Sequence, residues 1–69
     1  MPENVYSVSE IYGSSTDSID DAIDTALTAA SASLKNLDWF EVTEIRGHIE
    51  NGAVAHYQVG LKLGFRYEA

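Results

Sequence analysis

Eleven acidic residues against four basic ones (Lys35, Arg46, Lys62 and Arg66) give this 69-residue chain a formal net charge of −7. That balance repels nucleic-acid backbones and anionic lipid, no run approaches the roughly 20 apolar residues of a membrane-spanning helix, and the absence of cysteine removes disulfides. With 45% hydrophobic residues the chain is expected to fold as one domain over 1–69, but so small a domain buries only about 60% of its unfolded surface, so several copies are expected to associate.

Met1 to Val5 lacks the basic stretch and apolar core of a secretory leader, which makes the cytoplasm the expected location. Acidic residues with short Ser and Thr side chains dominate the polar positions before Lys35, a composition compatible with a salt-rich cytoplasm but also with an ordinary soluble surface.

From Val5 to Tyr12, β-branched and aromatic residues predict a first strand, with Tyr6, Val8 and Tyr12 on one face and Glu10 interrupting it. Gly13-Ser14-Ser15-Thr16 is expected to break that strand. Ser18 is a favourable N-cap with Asp21 three residues on, and Asp17, Asp20, Asp21 and Asp24 suit the positive end of a helix dipole. Ile19, Ala22, Ile23, Ala26, Leu27, Ala30, Leu34 and Leu37 follow three-four spacing, predicting a helix to about Asn36 with Lys35 near its C-terminus, where a cation is favoured. The alanines in this stripe let a sheet approach closely.

Trp39 to Glu50 and Ala53 to Tyr67 read as second and third strands joined by Asn51-Gly52, the strongest two-residue hairpin signal in the chain. A loop of that length sets a simple register in which Glu50 faces Ala53, Ile45 faces Gln58, Thr43 faces Gly60, Glu41 faces Lys62 and Trp39 faces Gly64. Trp39, Ile45 and Gln58 then share a face, and the alternating residues Ala53 to Tyr67 supply the other. The first strand, separated from the hairpin by the helix, is expected beside the third, giving an α+β fold of βαββ order with an antiparallel sheet arranged 1-3-2. One sheet face is left for another chain to cover.

Catalytic constellations are scarce. There is no cysteine nucleophile, and Gly60-Leu61-Lys62-Leu63-Gly64 lies inside a strand instead of opening a helix, so no active site is expected. His48 and His56 point to opposite faces in the simple register, which argues against a metal pair within one subunit. An indole at Trp39, on an uncovered sheet face, can stack on a planar heterocycle while Gln58 pairs with its polar edge; equally, Trp39 can pack over the bare backbone of Gly64 or sit at a subunit interface. Glu44 and Arg46 fall on the apolar face in the simple register. Either the second strand bulges there, or the two charges pair between subunits. Glu41 opposite Lys62 is a cross-strand pair worth roughly 0.2 to 1 kcal/mol.

Leu37-Asp38-Trp39-Phe40-Glu41-Val42, Glu44-Ile45-Arg46-Gly47-His48, the Asn51-Gly52 turn, Ala55-His56-Tyr57-Gln58-Val59 and Gly64-Phe65-Arg66, with Ile11-Tyr12-Gly13 leading into the Ser and Thr run, resemble the bacterial dodecins over almost the whole chain. The resemblance implies a hollow homododecamer in which each sheet partly wraps its helix and flavins sit in pairs at subunit interfaces. It implies that Trp39 stacks on the isoalloxazine and Gln58 bonds its pyrimidine edge. It also implies that Glu44 lies near the ribityl chain, that Arg46 takes part in flavin binding, and that Arg66 helps to hold a phosphate. The implied activity is flavin storage, buffering or photoprotection without catalysis, for riboflavin, FMN or a related flavin. The chain departs from many bacterial members at Ser7, where they have Lys or Arg, and in having no basic residue before Lys35. Repulsion of a phosphorylated ligand by so acidic an assembly favours riboflavin or a smaller flavin over FMN. A structural shell without flavin is the alternative reading, and the presence or absence of a bound yellow ligand separates the two.

Overall fold

A computed structural model describes residues 5–67; the leader reading on Met1 to Asn4 lies outside them. The elements are β1 (Tyr6–Ser15), α1 (Ile19–Ser31), β2 (Leu37–Glu50) and β3 (Ala53–Arg66), and the antiparallel sheet has the order β1-β3-β2. This is the βαββ arrangement expected. No helix among the described residues is long and apolar enough to cross a membrane.

β1 does not stop at Tyr12. It continues through the Gly and Ser residues to pair Ser15 with Tyr57, because those small side chains lie where the helix presses on the sheet. A Cβ on Gly13 would collide with the Ala22 carbonyl oxygen and the Ala26 methyl. Ser15, nearly buried, starts the turn into α1: its hydroxyl donates to the Asp21 carboxylate at 2.7 Å and accepts the backbone N–H of Asp17 at 2.9 Å. Ser18 caps the helix as expected, accepting the Asp21 N–H at 3.0 Å.

α1 ends at Ser31, five residues before the expected boundary, and Lys35 lies beyond its last turn, which carries no basic residue. Ser31 turns its hydroxyl back onto the Leu27 carbonyl, and the Ala32 and Ser33 N–H groups bond the Ala29 and Ala30 carbonyls, tightening the final turn. Asn36, at φ 64°, then turns the chain into β2 and its carbonyl accepts the Arg66 N–H. Leu34 and Leu37 keep their place in the apolar stripe by packing against the core from outside the helix.

That core is Ala22, Ala26 and Ala30 of α1 against Val59, Leu61 and Leu63 of β3. The helix lies over β1 and β3, so the β2 side chains on the same face, among them Phe40, Val42 and Ile45, are exposed.

Candidate functional site

Asn51 and Gly52 adopt positive φ (54° and 77°) as a type I′ turn requires, and Glu50 pairs with Ala53 as expected. Beyond the turn the simple register fails twice before Trp39 is reached, and a third shift lies between Leu37 and Trp39. β3 carries an extra residue, Ala55, between the pairs His48↔His56 and Ile49↔Val54; β2 carries a compensating one, Thr43, between Val42↔Leu61 and Glu44↔Gly60. Over the intervening segment every partner is shifted by one, so the side chains exchange faces relative to expectation.

Four corrections follow from this one cause. Ile45 faces Val59, on the helix side, and not Gln58; Gly60 faces Glu44 and not Thr43; and Gln58 faces Arg46. His48 and His56, expected on opposite faces, are direct cross-strand partners with stacked rings, their centroids 5.3 Å apart. Of the two explanations open for Glu44 and Arg46, the bulge is the one realised.

The helix-free face of the sheet therefore gathers Glu44, Arg46 and Gln58 with Tyr12 from β1, which pairs with Gly60. The Tyr12 hydroxyl donates to Glu44 Oε1 at 2.5 Å, Arg46 Nη1 lies 3.5 Å from Glu44 Oε2, and Arg46 Nε donates to Gln58 Oε1 at 2.8 Å. The guanidinium also sits over the Tyr12 ring, 5.3 Å from its centroid. Gly60 leaves room for this ring, since a Cβ there would stand 2.9 Å from it. By accepting its hydrogen bond, the Glu44 carboxylate holds the Tyr12 phenol above the ordinary tyrosine range, and partial desolvation and the negative charge of Glu44 act in the same direction. Tyr12 is the member that sequence reasoning missed, although its place on the face with Tyr6 and Val8 was legible from alternation.

Trp39 lies on the same face, opposite Gly64, where its indole occupies the space a Cβ would need. It remains 41% exposed. Co-facing is not contact, however. Gly64 is six residues from Gln58 along β3, a contour of about 20 Å at the usual strand rise. Arg66, paired with Tyr6, lies two residues further on at the Trp39 end. The structure thus joins Glu44, Arg46 and Gln58 into one network and leaves Trp39 and Arg66 in a second group on the same surface. An exposed indole, an amide and a guanidinium fit a planar heterocycle with a polar edge, but one ring system in contact with both groups requires two copies of the chain.

The dodecin family model matches residues 5–68. The chain is 48% identical to the dodecin of Thermus thermophilus over 64 residues, 93% of each sequence. It is similar to the solved dodecin of Streptomyces coelicolor, with a TM-score of 0.94 and 56% identity covering 100% of this chain and 99% of that one. The dodecin of Streptomyces davaonensis matches with a TM-score of 0.92 and 44% identity, covering 99% and 100%. With the fold, the register and both groups of side chains in place, the chain belongs to the dodecin family.

Proposed function

We propose that this chain is a non-catalytic flavin-binding subunit of a cytoplasmic homododecamer, in which flavins stacked in pairs between subunits are stored, buffered or protected from light. The observation that carries this reading is Trp39: a large indole, held in position by Gly64, left substantially exposed on a face with polar side chains and no covering element. Trp39 would supply the stacking surface, and Gln58, with its amide oriented by Arg46, would address the polar edge of a ring held by another copy. Glu44 would lie beside the ribityl chain, with Arg46 assisting, and Arg66 would be the nearest cation to a phosphate at the Trp39 end. An indole in contact with an excited flavin can donate an electron and recover it without net chemistry, which provides photoprotection.

Fluorescence titration of the flavin-free protein with riboflavin and FMN, at low and high salt, tests this. Quenching that saturates near one flavin per chain is expected, with riboflavin preferred at low salt because the acidic assembly repels the phosphate. Comparable affinities for the two at low salt would remove the charge argument. The packing of Trp39 over Gly64 favours a second reading, a structural shell in which the indole only fills space. Absence of quenching from an intact oligomer would establish that alternative.

A further inference from the structure

We propose that His48 and His56 form a two-imidazole chelate for a borderline divalent transition ion, of the class of Ni2+, Cu2+ or Zn2+. The two residues are direct cross-strand partners, and their rings lie nearly parallel, 13° apart, with centroids separated by 5.3 Å. Opposed residues of an antiparallel pair hold their Cβ atoms about 4.5 to 5.5 Å apart, so two imidazoles can reach one ion at roughly 2.0 to 2.1 Å by side-chain rotation, without moving the backbone. The arrangement depends on the extra residue Ala55. In the uninterrupted register His48 would face Ala55 and the two rings would lie on opposite sides of the sheet.

The surroundings leave the pair open. β1 ends opposite Tyr57, so no third strand flanks His56 on its free edge, and His48 is exposed. Among the described residues, neither ring is hydrogen-bonded or ion-paired to another side chain. Arg46 and Glu50 alternate onto the same face on either side of His48, bracketing an ion with opposite charges and leaving the imidazoles to decide affinity. No cluster of three or more metal-ligating side chains exists among the described residues, so water would complete the coordination shell. Two neutral nitrogens with water select borderline transition ions over Mg2+ and Ca2+, which take oxygen ligands. A bound ion would clip β2 to β3 near the turn, independently of any flavin.

The test is calorimetric titration of the flavin-free, assembled protein with Ni2+, Zn2+ and Mg2+ near neutral pH, comparing wild type, His48→Ala, His56→Ala and the double variant. One Ni2+ or Zn2+ per chain is expected. Either single substitution should weaken binding at least as much as the about tenfold typical of losing an outer-shell partner, with the double variant no worse than either single. Independent surface imidazoles would instead leave each single variant with half the binding, which overturns the chelate, as would a wild type no tighter than the double variant or equal affinity for Mg2+. If the alanine variants fail to assemble, nuclear magnetic resonance of wild type decides. Ni2+ broadening both imidazole rings at the same point in the titration supports the chelate, and sequential broadening sinks it.

Discussion

Trp39 and Gly64 act as a unit: the missing Cβ creates the space the indole fills, and the indole in turn presents its outer face to solvent. Trp39→Ala should relieve the quenching of bound flavin and weaken binding by about 1 to 3 kcal/mol, the range for an aromatic platform beneath a nucleobase; fluorescence titration of the variant reads both. Tyr12 is linked to Gln58 through Glu44 and Arg46, and in the proposed site it would be a positioning residue for that amide. Because its folded pKa is raised, the stabilisation that accompanies the Tyr12 to Glu44 hydrogen bond is fully present below the pKa of an unfolded tyrosine and is lost as pH rises through the folded value. The alkaline absorbance difference between wild type and Tyr12→Phe should isolate a phenol titrating above the ordinary tyrosine range, and Glu44→Ala should move that transition down. An unmoved transition would show that Glu44 is not its cause.

At the scale of elements, the decisive contact is between α1 and β1. Alanines on the helix and glycine with serines on the strand let the two backbones approach closely, and Gly13 sits where they meet. A methyl group at Gly13 has nowhere to go except by displacing the helix, so Gly13→Ala should destabilise the fold by about 1 to 3 kcal/mol, the usual cost of overpacking. Denaturant unfolding would measure this, and a midpoint equal to wild type would mean the helix yields freely. The two bulges are the other element-scale device. Between them the strands run one residue out of simple register, which is what brings Arg46 opposite Gln58 and His48 opposite His56; outside them Trp39 and Glu41 keep the partners expected from the turn.

For the whole molecule, the apolar surface that one copy leaves uncovered is the β2 face beyond the helix, where Phe40, Val42 and Ile45 are exposed. In the proposed assembly, such a row of apolar side chains on so small a domain would be covered by further copies. Val42→Glu should place a charge in that contact and dissociate the assembly, seen as a fall in mass by light scattering and a lower unfolding temperature; an intact assembly would locate the interface elsewhere. In the proposed flavin complex the separation of Trp39 from Gln58 along β3 has the same consequence, because one ring contacting both would draw them from different chains.

Element order, the Ser18 cap, the alanine stripe and the hairpin turn were legible in the sequence because each is dictated locally, by residue chemistry or by spacing within one element, and the strand arrangement 1-3-2 followed from the helix that separates the first strand from the hairpin. Trp39 opposite Gly64 and Glu41 opposite Lys62 were legible too, since the two bulges cancel before that point is reached. The helix end was not, because Leu34 and Leu37 fit helical spacing whether they pack from α1 or from the turn after it. Nor were the partners of Glu44, Ile45, Arg46, His48 and His56. No residue type announces Ala55 or Thr43 as the unpaired one; a bulge is placed by the competition between backbone hydrogen bonding and side-chain packing across strands, which exists only once the strands have met.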